Sequence, residues 1–169
     1  MTADPSAPAG GGLTPRRLGL LIAIAALFLD QLSKWWILAV VMAPPRPVVL
    51  APFFDIVLVF NRGVSFGMFG AAPGWMPWLL FGFAVAVAGG LGVWLMRARN
   101  RWLGAGLGMV IGGAIGNAID RLRFGAVVDF LDLHAAGYHW PAFNVADSAI
   151  TVGVGLLLLD ALKSRPRNP

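Results

Sequence analysis

The chain is 169 residues long, 58% hydrophobic and only 12% charged, where soluble domains carry about a quarter charged residues. That balance excludes an ordinary soluble domain and a disordered chain, and makes lipid the solvent for much of the apolar surface. Thirteen basic residues against eight acids, all of them Asp, leave a formal charge of +5, but the basic residues gather at the ends of apolar runs, which points to membrane orientation rather than to nucleic acid.

Residues 1–15 (MTADPSAPAGGGLTP) are rich in Pro, Gly, Ala and Ser and read as a disordered tail. A single membrane domain is expected over 16–163, with a short cytoplasmic tail at 164–169. Its first apolar stretch, about 18–42, is too long for the core of a signal peptide and lacks a small-residue cleavage site, so it reads as a retained transmembrane helix. The loop over 43–72 is broken by Pro44, Pro45, Pro47 and Pro52, and Phe54 to Phe60 (FDIVLVF) reads as a strand within it. Further spans are expected at about 73–96, 102–121 and 143–162. The third carries Gly104, Gly108, Gly112 and Gly116, a four-step register that puts glycines on one helical stripe and invites a close neighbour.

Four spans place both termini on one side. Eight basic residues fall there (Arg16, Arg17, Arg97, Arg99, Arg101, Lys163, Arg165, Arg167), against Arg46, Arg62, Arg121 and Arg123 on the other. By the positive-inside rule both termini are cytoplasmic and the two long loops face outward.

Ionisable residues at membrane depth are costly and are the first place to look for function. Asp30 and Lys34 lie four apart on the first helix and read as a structural ion pair. At the end of the first loop, Asn61 follows an apolar strand and precedes Gly63 and Gly67, for which turn chemistry is one explanation. Asp120 and Arg121 read as a structural pair at the outer interface. Asp129 and Asp147 differ, since each sits among apolar neighbours with no basic residue within four positions. Two carboxylates in a poorly hydrated site do not both ionise easily, so the pair can hold a water between a base and an acid.

Rival chemistries have thinner support. With no cysteine there is no thiol nucleophile or thiolate metal site. His134 and His139 have only Asp132 close by, which argues against zinc, so no metal and no cofactor is expected. No G-x-S-x-G occurs, and a Ser–Lys dyad would need Lys34, which Asp30 already engages. A non-enzymatic small transporter or assembly factor is the alternative class, although the chain shows no internal repeat of the kind transporters carry.

The blocks Asp30-Gln-Leu-Ser-Lys34, Asn61-Arg-Gly-Val-Ser-Phe-Gly67, Gly112 to Arg121 with Val127-Val-Asp-Phe130, and Phe143-Asn-Val-Ala-Asp-Ser148 resemble, in order, the signatures of the bacterial lipoprotein signal peptidases (signal peptidase II, peptidase A8). The resemblance implies an all-α membrane protein of four transmembrane helices, with a small extracytoplasmic β-cradle in the first outer loop and a flap in the second. It implies an aspartic endopeptidase of the inner membrane that cuts the signal peptide from diacylglyceryl-modified prolipoproteins just before the lipidated Cys. Asp129 and Asp147 match the catalytic pair. Asn61, Asn117, Arg121 and Asn144, with Gly63 beside them, match residues that line the site or support substrate, and Asp30, Lys34 and Asp120 match structural ones. The expected partners are those prolipoproteins and membrane lipids, with no nucleic acid, and the protein is expected to act as a monomer.

Overall fold

The computed structural model describes residues 12–63 and 73–163. Among the described residues, four helices are long and apolar enough to cross a membrane. They are α1 (Pro15–Trp36), α2 (Met76–Leu95), α3 (Arg101–Phe124) and α4 (Val145–Lys163). A π-helical turn, Ile37–Val41, extends α1. The helix starts a little earlier than its apolar run because Thr14 caps it, the hydroxyl accepting from the Arg17 N–H, with Pro15 pre-set for the first turn. The remainder of the expected N-terminal tail and the segment 164–169 lie outside the described residues.

Helix α3 is the hub. Its apolar window is 61% buried, against 22% or less for the other three, and it packs on all of them. Small residues make this possible. A Cβ on Gly112 would sit 2.5 Å from the Ala23 carbonyl oxygen and 2.9 Å from Ala26 Cβ, so α1 lies against bare backbone there. Gly104 and Gly108 meet α1 in the same way, at Pro15 and Gly19. A second face of α3 meets α4, where Gly106 and Gly153 abut each other's carbonyls. The other helices expose Leu20, Ile24, Phe28, Phe83 and Leu158, as lipid-facing surfaces do, because hydrocarbon is as apolar as they are.

At one end of the bundle lies an antiparallel sheet ordered β1 (Val48–Ala51), β2 (Phe54–Asn61), β3 (Val127–Ala135) and β4 (Tyr138–His139). It draws on both long loops, whereas the sequence signalled strand only in the first. The reason is burial: Val127 to Phe130 are buried on both faces of the sheet, so β3 lacks the alternation that marks a half-buried strand. Ile37, Met42, Ile56 and Phe130 form the apolar cluster that seats the sheet on the end of α1. Register places Asn61 opposite Val127 and Val59 opposite Asp129. In the second outer loop, expected as a flap, Val127–Ala135 is a paired strand, and the Ala136–Gly137 turn forms its exposed tip.

Candidate active site

Where α1, α3, α4 and the sheet meet, the polar residues of the four sequence blocks converge. Lys34 lies at the centre of the lower part. Its Nζ is 2.8 Å from Asp30 Oδ2 and 2.7 Å from Asp120 Oδ2, and it donates to Asn117 Oδ1 at 3.0 Å. All four residues are buried. An ammonium in that position is tolerable only because each of its protons has an acceptor. Asp120 therefore pairs with Lys34 and not with Arg121, as its sequence neighbour suggested. The helix explains this, since adjacent side chains diverge by about 100° while Asp120 faces α1. Arg121 Nη1 donates to the Asn117 carbonyl at 3.3 Å.

These carboxylates also fix the backbone. Asp30 Oδ1 accepts from the Ala146 N–H at 2.9 Å, satisfying one of the free donors that open α4. Asp120 Oδ2 accepts from the Val128 N–H at 3.1 Å and so pins β3 to α3. Gln31, which the sequence offered only as part of a block, donates from Nε2 to Asp30, Asp120 and the Gly116 carbonyl. A lone amide within an apolar helix was the available signal.

Above this layer, Asn144 and Asp147 form a reciprocal cap on α4. Asn144 Oδ1 accepts from the Asp147 N–H at 2.9 Å, and Asp147 Oδ2 accepts from the Asn144 N–H at 3.3 Å. The Asn144 amide then reaches the other carboxylate, donating to Asp129 Oδ1 at 2.7 Å. Asp129 and Asp147 are thus brought together on one asparagine. Asn117 Nδ2 holds Asp147 Oδ1 at 2.8 Å, and Asn61 Nδ2 holds Asp129 Oδ2 at 3.0 Å. Gly63 enters through its backbone, its N–H bonding Asn61 Oδ1 at 3.1 Å so that the amide presents its donor end to Asp129. The rest of that block, residues 64–67, lies outside the described residues.

The two carboxylates have unequal surroundings. Asp129 is 2% exposed, whereas Asp147 is half-buried. Burial first, and the neighbouring Asp147 charge second, push the Asp129 carboxyl up to about 7, against the opposing pull of the Asn61 and Asn144 amides. Asp129 therefore exchanges its proton near neutrality. Elsewhere in the sheet, His139 lies 2.8 Å from Asp132 and His134 lies 3.3 Å from Asp55. Among the described residues no three or more His, Asp or Glu side chains converge as a ligand set.

The profile of the family described as signal peptidase (SPase) II matches residues 22–163. The chain belongs to that family. It is 48% identical over 158 residues to the lipoprotein signal peptidase of Methylorubrum extorquens, covering 93% of this chain and 92% of that one. It is 50% identical over 151 residues to the lipoprotein signal peptidase of Methylobacterium radiotolerans, covering 89% and 88%. Among solved structures, a bacterial membrane enzyme determined by the in meso method at 1.9 Å superposes with a TM-score of 0.75 at 30% identity, covering 87% of this chain and 94% of that one. A second, determined at 2.3 Å, gives a TM-score of 0.74 at 29% identity, covering 89% and 93%. Signal peptidase II is a bacterial membrane protease that processes lipoprotein precursors, which sets the protease reading above the transporter alternative.

Proposed function

We propose that this signal peptidase II is an aspartic endopeptidase in which Asp129 and Asp147 activate water for hydrolysis of the peptide bond just before a diacylglyceryl-modified Cys. The observation that carries the reading is the joining of two unequal carboxylates through Asn144. Asp129, buried and pushed to about 7, is the member suited to hold a proton at neutral pH. Asp147, the more exposed, takes the proton of a water as its oxygen attacks the scissile carbonyl carbon. The proton from Asp129 then goes to the nitrogen that departs as the C–N bond breaks. Asn61, Asn117 and Asn144 hold the carboxylates in register, and Gly63 sets the Asn61 amide. The Arg121 guanidinium, which among the described residues bonds through one donor to a carbonyl of its own helix, has the remaining fork to offer a substrate carbonyl.

The orientation follows from charge. The basic residues of the α1 start, the α2–α3 turn and the α4 end cluster away from the sheet, so that end faces the cytoplasm and the site lies at the outer face of the inner membrane. There water is available, while the signal helix and acyl chains of the substrate enter laterally from lipid.

The test is cleavage of a diacylglyceryl-modified prolipoprotein peptide by purified protein in detergent. Asp129→Asn and Asp147→Asn should each lower turnover by at least about 10²-fold, the usual scale of general acid–base catalysis. The double variant should be about as inactive as either single one, because the pair acts as a unit. Near-unaltered turnover by either variant would overturn the mechanism.

A further inference from the structure

We propose that the seam between α1 and α3 at the sheet end is a headgroup site for a bilayer glycerophospholipid of the phosphatidylethanolamine class, separate from the carboxylate pair. A cavity of about 220 Å³ opens there, bounded by Gln31, Lys34, Trp35, Leu38, Asp120 and Arg123 among others. None of Asp129, Asp147, Asn61 or Asn144 lines it. Helix α3 has 24 residues, about 36 Å at 1.5 Å per residue, which exceeds a hydrocarbon core of about 30 Å. Arg123, in its last turn, therefore reaches the headgroup layer.

The cavity has two chemically distinct ends. Its floor offers free acceptors only, because the donors that line it are already engaged. Lys34 is committed to Asp30 and Asp120, and the Gln31 Nε2 protons go to the same two carboxylates and a carbonyl. The Gln31 amide oxygen is left with no donor among the described residues. A phosphate driven onto this floor would meet the Asp120 carboxylate and find the Lys34 protons already taken, so an anion is disfavoured there. The rim is the opposite. Arg123 is exposed, rests over the Phe124 ring with 5.0 Å between Cζ and centroid, and has no carboxylate partner among the described residues. Phe124 is itself held edge-on by Phe60 of β2, with centroids 6.1 Å apart, which fixes the rim. Trp35, 60% exposed, flanks the opening as aromatic residues do at membrane interfaces.

A floor of acceptors and a cationic rim call for a ligand with a cationic donor at one end and an anion at the other. A phosphoethanolamine group supplies both. Its ammonium N–H groups reach the Gln31 oxygen and the Asp120 carboxylate, and its phosphodiester meets Arg123. The size agrees, because a cavity of about 220 Å³ has room for a headgroup of about eight heavy atoms. A choline headgroup has no N–H to donate and is bulkier. A glycerol headgroup satisfies Arg123 but brings no cation to the floor. The acyl chains then run along the lipid-facing side of α1, past Leu32, Phe28 and Ile24, all exposed.

Native mass spectrometry of the full-length protein in detergent tests this, with dioleoyl-phosphatidylethanolamine, -phosphatidylcholine and -phosphatidylglycerol as probes. One phosphatidylethanolamine should bind in preference to the other two. Arg123→Gln should weaken it about tenfold, the loss of one charge-assisted contact. Ala39→Trp, at an exposed residue that also lines the cavity, should abolish the adduct, and unchanged melting temperatures would show that both variants are folded. Equal binding of the three lipids, or an unaltered affinity in Arg123→Gln, would overturn the proposal. So would equally tight binding of soluble phosphoethanolamine, which would mark a small-molecule site rather than a lipid one.

Discussion

At Asp129 burial and two amide donors pull in opposite directions, and burial prevails, with a carboxyl near 7 as the result. This has a sign for stability. Between the ordinary value of 3.8 and about 7 the folded protein keeps a proton that the unfolded chain releases, so stability falls as pH rises through that window. Asp129→Asn should flatten the dependence and stabilise the protein above neutrality by on the order of 2–4 kcal/mol, read from melting temperatures across pH. Asn61 favours the charged form, so Asn61→Ala should raise the Asp129 value further. The upper limb of the pH–rate profile, where the acid loses its proton, should then move to higher pH; an unmoved limb would mean that Asp129 is not the acid. Lys34 offers a second test. Because it serves two carboxylates, Lys34→Met strands both, and should cost about 3–5 kcal/mol in detergent melts. Asp30→Asn, which leaves Asp120 in place, should cost less.

At the level of elements, α3 governs the bundle through what its side chains lack. Gly112→Leu would force α1 away from backbone contact at Ala23 and should lower the melting temperature markedly, whereas Gly89→Leu on α2, where a Cβ meets nothing, should be near neutral. Equal effects would mean that close approach is not what the glycines provide. The stripe was legible in the sequence because a four-residue period has one plain cause. The four spans were legible for a similar reason, since only a helix satisfies its own backbone in lipid. Strand β2 could be read from FDIVLVF, but β3 could not, because burial on both faces erased its alternation. The candidate site was legible as residue types in blocks. Its wiring was not, since Lys34 reaches Asp120 across 86 positions of sequence and nothing local marks the choice over Arg121. The Asn144–Asp147 cap was there to be read as an N-x-x-D pattern, and it places the start of α4 at Val145 rather than at 143.

For the whole molecule, the separation of basic residues from the sheet sets the expected topology. Reporters fused at residue 99 or at the C-terminus should read as cytoplasmic, and reporters near residues 50 and 137 as external; an external C-terminus would put the carboxylate pair on the wrong face. The bond from the Ala146 N–H to Asp30 Oδ1 joins points 116 residues apart, the first helix to the last. A ribosome delivering this chain inserts α1 with its buried charges long before α4 exists to complete their hydrogen bonding. Until the fourth helix arrives, Asp147 and the Asn144 bridge are absent, and the carboxylate pair is incomplete. On the mechanism proposed above, the nascent protease stays silent until α4 enters the bilayer, and hydrolytic competence arrives with it in one step.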